Sequence, residues 1–134
     1  LISVGGVRAF IRYVYVPWDQ ELIAPLVTHA VSAYVLGFDN MAGTDTGVAI
    51  ANASTSAATI PVMIYDQRGE LAGSSSVSLP ANGHAAFYLT ERFGPTCNQR
   101  GTVEFRIPDN GSIGILGIRF PISQAFTTIP PVAR

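Results

Sequence analysis

The sequence predicts an all-β protein, an immunoglobulin-like antiparallel β-sandwich of about nine or ten strands, and three observations predict it. Short segments of alternating apolar and polar residues fill almost the whole length. Turn signals close them roughly every 8 to 12 residues, and no stretch of helical period is long enough to compete. The composition agrees: 48% hydrophobic residues supply a core, and 13% charged residues is about half the usual ~25%.

Taken in order, residues 7–16 alternate, with Val7, Ala9, Ile11, Tyr13 and Tyr15 on one face. Arg8, Phe10, Arg12, Val14 and Val16 form the other, which the two arginines mark as the wetter side. Pro17 ends this strand by removing a ladder donor. Residues 22–27 carry Pro25 and read as an edge strand or an extended connection. Residues 31–38 form the next strand, closed by the turn-forming stretch 39–43. The small, apolar residues 47–52 suit a buried central strand.

Residues 58–66 set Ile60, Val62 and Ile64 against Met63 and Tyr65. The turn Asp66-Gln67-Arg68-Gly69, with Asp first and Gly fourth, opens a hairpin to residues 70–79. Pro80-Ala81-Asn82-Gly83 closes that strand, since Asn and Gly both tolerate positive φ. Residues 84–89 are another strand, and 90–93 add one helical turn. Residues 102–107 and 113–120 are expected to pair with each other across the second Asn-Gly turn, Pro108-Asp109-Asn110-Gly111. Residues 125–129 are the last strand, ended by Pro130-Pro131. With one face of each strand apolar, two sheets packed face to face are the natural solution.

A chain of 134 residues is one domain by length and buries roughly two-thirds of its unfolded surface. The expected division is an N-terminal arm over residues 1–6 and a single sandwich over 7–134. Net charge is −1, and all eight basic residues are arginines scattered from Arg8 to Arg134. That pattern offers no basic stripe to nucleic acid. No apolar run approaches the roughly 18 residues of a membrane span, so membrane insertion is not expected. A start at Leu1, without Met and without a leader-like stretch, fits a processed mature chain or a piece of a longer one.

Candidate chemistry is sparse. Cys97 is the single cysteine, which leaves no internal disulfide; it reads as a loop thiol, with a bridge between neighbouring copies as the sharper alternative. His29 and His84 are the only histidines, and neither stands beside an evident nucleophile and orienting acid. His84 follows an Asn-Gly turn and begins a strand. Asp39, Asp45, Asp66 and Asp109 fall in separate turns and read as turn formers, without the clustered spacing of a calcium loop. No cofactor, metal or catalytic activity is expected. Asn52-Ala53-Ser54 and Asn110-Gly111-Ser112 match the glycan acceptor pattern at accessible strand ends or turns, and read as accidental matches. The serines around 54–56 and 74–76 read as solvent-facing β residues.

Five segments carry a resemblance. YVLGFDN at 34–40, TGVAIAN at 46–52, LPANGHAAFYLTERF at 79–93, RGTVEF at 100–105 and LGIRFPISQAFTTIP at 116–130 follow one another in the expected order. Together they resemble a module that recurs in secreted or surface proteins of acidobacteria and related soil bacteria, often at the C-terminus of longer polypeptides. VRAFIRYVY at 7–15 looks like a preceding strand of the same module. The resemblance implies an extracellular or cell-surface β-sandwich with a structural or binding role, and transfers no catalytic activity; for His84 it implies a structural polar contact to a loop carbonyl.

Two functional readings follow. In the first, the module self-associates into a fibre or surface assembly. Leu1, Ile2, Ser3 and Val4 form a β-competent arm, and Gly5 and Gly6 form a hinge. Such an arm adds a strand to a neighbour's open edge; the competing role for it is a connection to a preceding domain. In the second reading, the chain is an accessory domain that binds carbohydrate or the cell surface, with Tyr13, Tyr15 and Trp18 as an aromatic platform. Against that platform stands a Trp18 that simply packs the sandwich edge after Pro17.

Overall fold

A computed structural model describes residues 10–15, 19–25, 31–123 and 125–134. Eleven strands form among them: β1 (Phe10–Tyr15), β2 (Gln20–Pro25), β3 (Ala33–Asp39), β4 (Asp45–Asn52), β5 (Ala58–Asp66), β6 (Leu71–Leu79), β7 (His84–Tyr88), β8 (Arg100–Arg106), β9 (Ile113–Phe120), β10 (Thr127–Ile129) and β11 (Val132–Ala133). A single helical turn, α1 (Leu89–Arg92), and a 3-10 turn over Gly94–Thr96 follow β7.

Nine strands build the sandwich that the alternation predicts. One sheet has the order β10-β9-β4-β7 and the other β11-β3-β8-β5-β6, both antiparallel. β1 and β2 pair separately as a two-stranded ribbon, and β2 lies against β10. Arg12 and Val14 are exposed on the ribbon, as expected of its wetter face.

The core sits between the two inner faces. Leu36, Ile60, Val62, Val103 and Phe105 from one sheet meet Val48, Ile50 and Ile113 from the other. Leu89 and Phe93 enter from the helical crossover, and Phe93 stands edge-on to Phe87. β8 runs between β3 and β5 so closely that a Cβ on Gly101 would lie 1.9 Å from the Tyr65 carbonyl oxygen. Only glycine fits there.

The strand order has its own character. β9 with β4 forms the centre of the four-stranded sheet, and β8, between β3 and β5, that of the five-stranded one. The first sandwich strand, β3, lies beside β8, while β9 lies beside β4. The constant-type immunoglobulin order instead sets its first strand beside the second and its last beside the sixth.

One expected pairing is overturned. β8 and β9 do not form a hairpin; they lie in opposite sheets. Each carries apolar residues toward the shared core, Val103 and Phe105 on β8 and Ile113 on β9, so each must approach it from its own side. The turn geometry agrees. Gly111 N–H donates to the Pro108 carbonyl at 2.8 Å, and Asn110 alone of the two central residues has positive φ, at 60°. A two-residue type I′ hairpin turn needs positive φ at both.

The turn Pro80–Gly83 repeats this design, with Asn82 at φ 53° and Gly83 N–H on the Pro80 carbonyl at 3.0 Å. It too passes the chain from one sheet to the other, between β6 and β7. A Cβ on Gly83 would meet the Pro80 ring at 2.5 Å. Pro130-Pro131 does not end strand formation either: Val132 and Ala133 resume pairing as β11, opposite Val35 and Tyr34 of β3.

Candidate functional site

Alternation along β3, β8, β5 and β6 decides what the five-stranded sheet shows to the outside. Tyr34, Leu36, Val103, Phe105, Val62 and Ile64 point inward, so Val35, Thr102, Glu104, Arg106, Met63, Tyr65 and Ser74 take the outer face. Register lines up Val35, Glu104, Met63 and Ser74 across four strands. Glu104 is therefore central, and its side chain is only 13% exposed.

Two cations hold it. Arg106 Nε donates to Glu104 Oε1 at 2.6 Å, and Arg134 Nη1 lies 3.5 Å from Oε2. Both guanidinium groups remain more than half exposed, at 52% and 65%. Glu104 and, secondarily, the Tyr65 side chain raise the pKa of Arg106 above its ordinary value. Beside this cluster lies an open depression of about 300 Å³, lined by Val35, Tyr65, Gly69, Thr102, Glu104 and Arg134. Two outer-face rows further along the same strands, Arg100 Nε reaches Asp39 at 3.0 Å, and that hydrogen bond leads in holding the Asp39 carboxyl below its ordinary pKa.

The edge of the same sheet is a second feature. β6 runs for nine residues, LAGSSSVSL, with no charge and no proline. It pairs with β5 alone, and among the described residues no backbone hydrogen bond reaches residues 72–79 from the other side. Ser74, Ser75 and Ser76 are all exposed, as the sequence predicts for this stretch. Ser75 is exposed although it sits opposite the buried Val62 on the inward row.

The remaining candidates stand apart from these two features. Asn52 is 2% exposed: its Nδ2 donates to the Ser56 and Pro80 carbonyls at 2.8 and 2.9 Å, and its Oδ1 accepts from Ser54 N and Oγ. The expectation of an accessible glycan acceptor there is overturned, because the amide nitrogen is buried and used. Asn110 is exposed in its turn.

His84 lies exposed on β7 and makes no side-chain hydrogen bond to the described residues, so the expected contact to a loop carbonyl is not formed. Asp66 behaves as a turn former, accepting from Arg68 N and Glu70 N at 2.8 and 2.9 Å. Asp39 accepts from Met41 N at 3.2 Å. Asp45 does more than form a turn, since it also accepts from Thr90 Oγ1 and so ties α1 to β4. Cys97 is exposed, its Sγ 3.4 Å from the Thr90 carbonyl. Among the described residues no three His, Cys, Asp or Glu side chains converge.

Leu1, Ile2, Ser3, Val4, Gly5 and Gly6 lie outside the described residues, as do His29 and Trp18. The backbones of Tyr13 and Tyr15 pair with Leu22 and Gln20 in the ribbon, while their side chains lie outside the description. The Glu104 cluster escapes a reading of motifs, although RGTVEFR places Glu104 and Arg106 two residues apart and hence on one face. Arg134 comes from far along the chain and reaches the cluster through β11.

Comparison of the chain with family models, with curated proteins and with solved structures finds no match in any of the three.

Proposed function

We propose that the protein is a non-catalytic structural module of the bacterial cell exterior that self-associates by strand addition at β6. The observation that supports this is the edge itself. A sheet edge presents unpaired N–H and C=O groups, and proteins usually blunt a long one with lysine, proline, a bulge or an inward-pointing charge. The stretch from Ser74 to Leu79 has no charge, no proline and no register shift, the single irregularity of the β5–β6 pair lying at Ile64/Tyr65. The donor is the arm Leu1, Ile2, Ser3 and Val4 of a neighbouring copy, given reach by Gly5 and Gly6. Such a contact runs head to tail, does not close on itself, and builds a filament. The extracellular setting rests on the resemblance of the ordered motifs.

Light scattering after size exclusion tests this reading over a range of concentrations. The intact protein should grow in mass with concentration. Ser75→Lys, which places a charge on the inward row of the edge, and removal of residues 1–6 should each hold it monomeric. A monomeric intact protein, or unchanged polymers in both variants, overturns the reading.

The second reading, an accessory domain that binds carbohydrate, finds support on the outer face of the same sheet, in the Glu104 cluster and its depression.

A further inference from the structure

We propose that the outer face of the five-stranded sheet, around Glu104, Arg106 and Arg134, binds a saccharide chain bearing carboxylates. The proposal rests on the carbohydrate reading and is independent of self-association through β6.

The charge count supplies the first argument. One carboxylate stands between two guanidinium groups, so this three-residue cluster itself carries one net positive charge. The shielded acid serves the cations: Oε1 fixes Arg106 through Nε, and Oε2 faces Nη1 of Arg134. Each guanidinium carries five N–H donors, so one contact to Glu104 leaves donors on each fork that the acid does not use. Forks held in this way suit the planar, two-oxygen geometry of a carboxylate.

Shape and surroundings supply the second. The depression of about 300 Å³ is open and lies on a sheet face, with Tyr65, Thr102 and Val35 in its lining. Its volume stands at the low end for ligand sites, and its open form fits one residue of a chain that continues across the sheet. Beyond Met63 the outer face carries hydroxyls without charge: Ser74, Ser76 and Ser78 on β6, and Thr59, whose Oγ1 is 3.1 Å from Ser78 Oγ. That surface suits a polyhydroxylated chain. It lacks the buried aromatic or aliphatic anchor pocket on which peptide recognition depends. The basic residues here are too few for a phosphate backbone, and the chain as a whole carries net charge −1.

The test is titration calorimetry of the intact protein with polygalacturonate, with its methyl ester and with a neutral glucan. Polygalacturonate should bind, and esterification, which keeps the chain and removes the charge, should weaken it by about tenfold or more. Arg106→Ala and Arg134→Ala should each cost on the order of tenfold with an unchanged melting temperature, because both side chains are largely exposed. Equal binding of acid and ester, or a double variant that binds polygalacturonate like the intact protein, overturns this site. If the neutral glucan alone binds, the site falls while the carbohydrate reading stands. If no polysaccharide binds, both fall, and self-association is untouched.

Discussion

The two sheets share one inner surface and differ on the outside. Outward positions of the four-stranded sheet read Gly47, Ala49 and Ala51 on β4, Ala86 and Tyr88 on β7, and Leu116, Ile118 and Phe120 on β9. The polar side chains of this face stand at strand starts and on the edge strand, Asp45 on β4, His84 on β7 and Thr128 on β10. Tyr88 and Phe120 meet edge to face at 5.1 Å, and Ile122 beyond them is 74% exposed. The corresponding positions of the five-stranded sheet carry Arg100, Thr102, Glu104, Arg106 and the β6 serines. The edges differ as well: β7 and β10 are five and three residues long, against nine for β6.

Antiparallel sheets ordinarily alternate apolar-in with polar-out. The five-stranded sheet obeys, and the four-stranded sheet is apolar on both faces over its middle rows. Inner positions are dictated by the common core and say little about function. Outer positions carry no such obligation, so a contrast between them reports what each sheet does.

The comparison assumes a single inner core, and the largest expected effect tests that assumption. Phe105→Ala, at 0% exposure, should cost about 3–5 kcal/mol and lower one cooperative transition. Separate melting of the two sheets by circular dichroism and by tyrosine fluorescence would break the assumption. Next in size is Asn52→Ala. Asn52 bridges the crossovers that lead into β5 and out of β6, and losing its hydrogen bonds from a buried position should cost about 2 kcal/mol, read as a shift of the urea midpoint.

A charge placed on each outer face then sharpens the contrast itself. Leu116→Lys, on the half-buried apolar face, should destabilise by about 1–2 kcal/mol, whereas Ser76→Lys should stay within about 0.5 kcal/mol. Equal effects in chemical denaturation would erase the difference between the faces.

The smallest effect is in acid. The Asp39 carboxyl, held by Arg100 below its ordinary 3.8, adds stability that is present above that value and lost as pH falls through the folded value. Arg100→Gln should lower stability slightly at neutral pH and shrink the loss on acidification below about pH 4, so that variant and parent converge in acid. A pH profile identical to that of the parent chain would remove Asp39 from the account.

Much of this architecture was legible in local pattern. Alternation located β4, β5, β6 and β9 within two residues of their ends, and Asp66 with Gly69 foretold the β5–β6 hairpin. What local pattern did not carry was partnership. Asn-Gly signals a turn, yet whether the next strand returns to the same sheet depends on φ at the residue before Asn, and Asp109 and Ala81 look alike in that respect. β11 followed two prolines and has two residues, too short for any period. The Glu104 cluster was half visible, because its third member arrives only when β11 pairs with β3. The arm and Trp18 lie outside the described residues.

The pairing of β3 with β11 also has a mechanical meaning. Ser32 N–H and Oγ both donate to the Arg134 carbonyl, at 2.6 and 2.9 Å, so the chain enters and leaves this pair at the same end. Tension applied between residues 32 and 134 would load those hydrogen bonds one after another, as in opening a zipper, instead of shearing them together. The short β11 would peel first, while the long strands stayed closed. Arg134 would leave Glu104 in that same opening step, so a pull too gentle to unfold the sandwich would already dismantle the charged cluster on its outer face.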